Sequence, residues 1–200
     1  MESLKPIIRL LRRVAVLGGS VCLLAVWGLA ASGAELRTSN PYDLIAANLH
    51  KFPAYVQWPR SAAAANTAPW RIGVLGEDPF GDALMQVTKN QPIGGREFEI
   101  IHATRAEDLR TCDLVYVGLK DEDEIKEALD ALAGRPILTV SAAENFLQLG
   151  GVIRMEIPKK TGNVRFSLNL DQARSSGLKI SAEMQELATQ ILKEGRLRKT

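Results

Sequence analysis

Residues able to do acid–base or metal chemistry are few in this chain and widely spaced. Its two histidines are His50 and His102. Neither has a cysteine or a carboxylate at metal-ligand spacing, so a zinc centre has no support. Of the two cysteines, Cys22 falls in an N-terminal apolar run and Cys112 lies at the start of an apolar strand, Leu114-Val115-Tyr116-Val117. A lone thiol there reads as a small buried hydrophobe. No G-x-S-x-G elbow occurs. Gly76 and Gly81 have phosphate-loop spacing but lack the Lys-Ser/Thr that must follow, which leaves an ordinary βα turn. The run Asp121-Glu122-Asp123-Glu124 could attract a cation, but acids at a helix start also complement its dipole. No catalytic, metal or cofactor residue is assigned, and the sequence reads as a non-enzyme.

The remaining candidates concern binding. Trp58 and Trp70 flank an alanine-rich stretch, where they either frame a ligand or partner surface or plug one end of a core. Arg154 and Arg165 lie on two facing extended runs, and either bind an anion or supply alternating solvent-facing charge. Glu77, Lys120 and Ser141 each follow or end a predicted parallel strand, where the loops of an open α/β sheet converge on ligands.

The elements that must position these residues alternate along the chain. Asn40 is a natural N-cap and Pro41 suits a first helical position, so a helix is predicted over 41–57, kinked or cut short by Pro53. Ser61 to Ala68 is a loop. Strands are predicted over 71–75, 97–103, 113–118 and 136–141. Between them fall a helix over 80–89 with Leu84, Met85 and Val87 inward, one or two helical turns over 106–110, and a helix opened by Asp121. That helix has Glu124 as capping-box partner and Gly134 as its stop. Runs 151–157 and 163–170, joined by Pro158-Lys159-Lys160-Thr161-Gly162, form an antiparallel hairpin. A turn over 171–177 and a helix over 181–193 close the chain. In that helix Met184, Leu187, Ala188, Ile191 and Leu192 line a core face or a dimer seam. The fold class is α/β: a single three-layer domain, with a mixed, mostly parallel sheet, a C-terminal antiparallel hairpin, and helices on both faces.

The hydrophobic content of 46% and charged content of 24% suit one globular domain with a real core. Residues 14–34 carry no charge, follow Lys5, Arg9, Arg12 and Arg13, and end in Ala30-Ala31-Ser32-Gly33-Ala34. This is the layout of a secretory signal cut after Ala34. The run is also long enough to remain as a membrane anchor. Either outcome places the domain outside the cytoplasm. Val21 before Cys22 argues against a lipoprotein. The expected organisation is a signal over 1–34, a linker over 35–40, the α/β domain over 41–193, and a frayed basic tail over 194–200. The net charge of +2 becomes −1 without residues 1–34. That balance gives neither a nucleic-acid footprint nor a polybasic membrane patch.

Several blocks are similar to those of a known family. They are Phe52-Pro53-Ala54-Tyr55-Val56-Gln57-Trp58-Pro59, Ile72 to Gly81, Leu109 to Gly118, and Leu138-Thr139-Val140-Ser141 with Phe146, Gly150-Gly151 and Ile153. The last is Phe166-Ser167-Leu168-Asn169-Leu170, followed by Ala173-Arg174 and Gly177-Leu178-Lys179-Ile180-Ser181. Together they resemble the YfiR family of periplasmic proteins. Gln57 replaces the family's usual acid, and Pro53-Ala54 its usual Ala-Lys. Gly73 stands where some relatives carry a cysteine facing Cys112, so their disulfide is ruled out here. The resemblance implies a periplasmic, dimeric regulator that binds an inner-membrane diguanylate cyclase and holds it inactive; its release would raise cyclic-di-GMP and favour biofilm. A periplasmic small-molecule binding protein, with its pocket near Glu77, Lys120 and Ser141, is the second expectation. Asn169, Lys179 and Ser181 are expected to fix the final strand-to-helix junction.

Overall fold

The computed structural model describes residues 40–59, 68–157 and 163–200. The predicted signal over 1–34, the predicted linker up to residue 39, all but Ala68 of the alanine-rich loop, and the 158–162 loop lie outside the described residues. Among the described residues no helix is long and apolar enough to cross a membrane.

Helix α1 spans Pro41–Lys51, with the Asn40 side chain accepting from the Tyr42 N–H at 3.1 Å. It stops earlier than Gln57 because Pro53 lacks an N–H and its ring crowds the carbonyl four residues back. A 3₁₀ turn, Phe52–Ala54, follows, and then a short strand, β1, Val56–Gln57.

The parallel part of the sheet comprises β2 (Trp70–Gly76), β3 (Phe98–Ala103), β4 (Leu114–Gly118), β5 (Leu138–Ser141) and β6 (Ile153–Glu156). Helix α2 (Ala83–Thr88) links β2 to β3, a 3₁₀ turn at Ala106–Leu109 links β3 to β4, and helix α3 (Glu122–Leu132) links β4 to β5. Strand β7 (Arg165–Asn169) pairs antiparallel with β6, as the hairpin pattern predicts. Then come α4 (Leu170–Ser175), β8 (Lys179–Ile180), α5 (Ala182–Leu187), β9 (Gln190–Lys193) and β10 (Arg196–Lys199). The main sheet runs β10-β9-β7-β6-β5-β4-β2-β3.

Two cores lie on opposite faces of this sheet. Ile45 and Leu49 of α1 and Leu84 of α2 pack on Ile72, Val74, Leu114, Tyr116, Leu138 and Val140. Ile125, Leu129 and Leu132 of α3 pack with Leu109 on Leu75, Val115 and Val117. Alternation along each strand sends neighbouring residues to opposite faces, which is why both sides need helices.

Four local expectations are corrected. Met85 is exposed rather than inward. The Asp78 carboxylate accepts the Phe80 N–H and Gly81 holds a positive φ of 53°, so α2 starts only at Ala83 and turns Met85 outward. Residues 171–177 are mostly helix rather than turn, because Asn169 caps α4 by accepting the Gln172 N–H at 2.9 Å. The helix predicted over 181–193 ends at Leu187, and Leu187 is exposed. Beyond it β9 pairs parallel with β7 and satisfies what would be an open edge. The tail over 194–200 is not frayed. Glu194 and Gly195 take φ of 54° and 68° in a two-residue turn, and β10 returns along β9.

That last turn is clamped by Asp171, whose carboxylate accepts the N–H of Glu194 and of Gly195, each at 2.9 Å. These two bonds hold the carboxyl below its ordinary value of 3.8. The clamp is therefore present above that value and is lost as pH falls through the lower, folded-state one. Amide exchange at Glu194 and Gly195, relative to the intrinsic rate, should accelerate only once pH has fallen below the carboxyl's ordinary value of 3.8. Asp171→Asn should show the faster exchange at neutral pH, with the exchange of β4 amides unchanged.

Candidate functional site

Strand β2 is followed by β3 on one side and then by β4 on the other. The connections therefore leave the carboxyl ends of β2 and β4 in opposite directions and open a crevice between them. Gly76 turns the chain out of β2 with a φ of 79°. Gly118 ends β4, and a Cβ there would collide with the Glu77 backbone carbonyl. Only a glycine allows the two loops to approach so closely.

A cleft of about 540 Å³ occupies this crevice, and Glu77, Lys120 and Ser141 all line it. Lys120 Nζ and Glu77 Oε2 stand 2.6 Å apart across the two loops, and both side chains are exposed. The hydrogen bond and charge of Glu77 raise the lysine's pKa and keep it an ammonium. Ser141 plays another part. Its buried hydroxyl donates to the Val117 carbonyl at 2.7 Å and accepts the Ala143 N–H at 3.2 Å. It fixes the ends of β4 and β5 and shapes the cleft without offering a free group.

The cleft also contains Tyr42 from α1, Tyr116 from β4 and Glu144 after β5, which no sequence pattern singled out, and Glu122 from α3, a member of the acidic run at 121–124. Burial, with the nearby Tyr42, Asp78 and Glu77, pushes the Tyr116 phenol well above its usual range, so it is a neutral donor and acceptor. Tyr42 reaches the cleft because α1 crosses the sheet, where its ring meets Phe80 at 6.2 Å. No local pattern in the sequence encodes that crossing.

Trp58 and Trp70 lie elsewhere. Their rings pack at 5.0 Å with planes tilted by 51°, the Arg96 guanidinium lies 3.6 Å over Trp70, and Trp70 Nε1 donates to the Ile93 carbonyl at 3.0 Å. Trp70 opens β2 and Glu77 follows its end, so the two groups are separated by the strand's length, about 20 Å. Arg154 and Arg165 share a sheet face with Glu156. Arg154 is held by Glu156 at 2.7 Å and by the Glu144 carbonyl at 2.8 Å, whereas Arg165 is exposed. Burial pushes the Glu156 carboxyl up, but hydrogen bonds from Ser167, Arg154 and Thr189 outweigh it and leave the value lowered.

One pairing is invisible to sequence spacing. His102 Nε2 meets Asp78 Oδ2 at 2.8 Å, because β3 lies beside β2. The pair is partly exposed, and among the described residues no three histidine, cysteine or acidic groups gather to hold a metal ion.

The closing sequence block is architectural. Asn169 is buried, caps α4, and donates from Nδ2 to the Leu147 carbonyl at 3.0 Å. Ser181 caps α5 by accepting the Met184 N–H at 3.2 Å. Lys179 is exposed and sits in β8, which pairs antiparallel with β1: Val56 faces Ile180 and Gln57 faces Lys179. The aromatic block at 52–59 and the closing block at 177–181 thus form one small sheet. Asn169→Ala removes a cap and leaves a buried carbonyl without its partner. It should cost about 2–3 kcal/mol, read as a lower urea midpoint at unchanged slope.

Compared with known protein families, residues 42–189 match the model described as YfiR/HmsC-like. The chain belongs to the YfiR/HmsC-like family. It is a family of regulatory proteins, and the matched span includes α1 from its second residue, the paired sequence blocks and the whole lining of the cleft. Among solved structures, the chain is similar to a conserved domain protein from Vibrio cholerae O1 biovar El Tor strain N16961. The identity is 15% and the TM-score 0.49, over 76% of this chain and 60% of that one. The YfiR/HmsC-like chain thus spans less than two thirds of that protein's length.

Proposed function

We propose that this YfiR/HmsC-like protein is a periplasmic, non-catalytic regulator. It binds the periplasmic part of an inner-membrane signalling protein, a diguanylate cyclase, and represses it. The observation that carries this reading is the family match over 42–189. The chemistry of the domain supports it. Burial, and then the charge of Asp113, push the Cys112 thiol up to about 11, so it stays protonated and a poor nucleophile. Repression requires preference for the inactive state of the partner. A hundredfold effect needs a preference of about 2.7 kcal/mol. The protein acts as a homodimer, which sedimentation at graded concentrations would test. Deleting the gene should raise cellular cyclic-di-GMP, and restoring it in trans should lower it again. An unchanged level in the deletion strain would sink the proposal.

A second reading, a periplasmic small-molecule binding protein, is favoured by the cleft at the strand ends. The two are compatible, since a ligand that prefers one partner-binding state shifts partner affinity by the same factor.

A further inference from the structure

We propose that the cleft at the carboxyl ends of β2, β4 and β5 takes a small organic cation, an ammonium-bearing molecule with an apolar body. The inference rests on reading this cleft as a ligand site. Among the described residues its charged lining is unbalanced: Glu77, Glu122 and Glu144 surround one ammonium, Lys120, which Glu77 already holds at 2.6 Å. Among the described residues Glu122 accepts only a neutral amide, from Asn145. The Glu144 carboxylate has no cationic partner among the described residues. An anion would find little to bind. The start of α3 would ordinarily attract one, but the Asp121 carboxylate already takes the N–H groups of Asp123 and Glu124 at 2.9 and 3.1 Å.

Tyr116 supplies an independent pointer. The residue is only 3% exposed and lines the cleft, and its hydroxyl makes no hydrogen bond to any described residue. The oxygen is not sealed in the core but opens onto the cleft, where it is free to donate or accept. A ligand N–H would satisfy this oxygen, and phenol rings also attract cations through their faces. A compact metal ion does not suit the site, because no three acidic, histidine or cysteine groups converge among the described residues. Carboxylates spread around the mouth of a 540 Å³ cleft suit an extended cation, with Tyr42 and Leu149 as apolar wall.

The test uses the full chain and four small probes at matched ionic strength: cadaverine, tyramine, 1,5-pentanediol and glutarate. Thermal shift and titration calorimetry should show saturable stabilisation by at least one amine and none by the diol or the dicarboxylate. Glu144→Gln and Tyr116→Phe should each weaken amine binding about tenfold. Glu144 is exposed and phenylalanine keeps the packing against Phe80, so both variants should fold. Failure of both amines overturns the cation assignment. Binding of the diol or glutarate in their place overturns the ligand class but leaves the cleft a ligand site. Amine binding that neither substitution weakens overturns the location. A wider screen in which no small molecule binds would remove the cleft reading itself.

Discussion

Gly118→Ala is expected to lower stability by about 3 kcal/mol, which for a domain of this size is about 6–12 °C in Tm. The new Cβ would fall within contact distance of the Glu77 carbonyl, and also 3.1 Å from that of Leu75. Neither atom belongs to a side chain that could rotate away. The β2 and β4 loops must separate, and the Lys120–Glu77 pair that bridges them must lengthen. The same variant should therefore lose any cleft ligand response shown by the wild type. A Gly118→Ala protein with unchanged Tm would contradict the close loop approach on which the site geometry depends.

Gly73→Cys should make stability depend on redox state. A Cβ at position 73 would stand 3.2 Å from Cys112 Sγ, close to the roughly 3 Å between Cβ and the opposite sulfur across a disulfide. It would also press on Leu109 Cδ2 at 2.9 Å. Reduced, the variant should lose about 1–3 kcal/mol through overpacking. Oxidised, the bridge closes a loop of about 40 residues and should add about 4 kcal/mol against the reduced form. In a Cys22→Ser background, Tm should then differ by about 10 °C or more between reduced and oxidised samples. The high pKa of Cys112 makes oxidation slow without a catalyst or oxidant. A bridge verified by thiol titration that leaves Tm unmoved would sink this prediction.

The parallel sheet was legible because its local signals agree. Asp121 and Gly134 bracket α3, Asn40-Pro41 starts α1, and buried runs such as Leu114 to Val117 separate the helices. The segment beyond Leu170 was misread where two periodicities coincide. Leu187, Ala188, Ile191 and Leu192 fit a helical stripe, yet Ile191 also alternates correctly for a strand beside β7. Glu194-Gly195 between alternating segments was the available signal for the hairpin. For the cleft, Glu77 and Lys120 were legible as positions beyond strand ends. Tyr42, Tyr116 and Glu144 were not, and Glu122 was legible only as part of the acidic run at 121–124, because their meeting depends on how α1 and α3 cross the sheet. The separation of Trp58 and Trp70 from those residues likewise follows from strand direction rather than from composition.

We propose that this YfiR/HmsC-like domain restrains a membrane signalling enzyme from the periplasm. The most direct measurement is crosslinking in living cells of the native host, followed by identification of what is covalently attached. The expected capture is an inner-membrane protein carrying a diguanylate cyclase domain, bound through its periplasmic part, whose cyclic-di-GMP output falls when this protein is supplied. Crosslinks confined to proteins without a membrane signalling partner, with cyclase output unaffected by this protein, would contradict it.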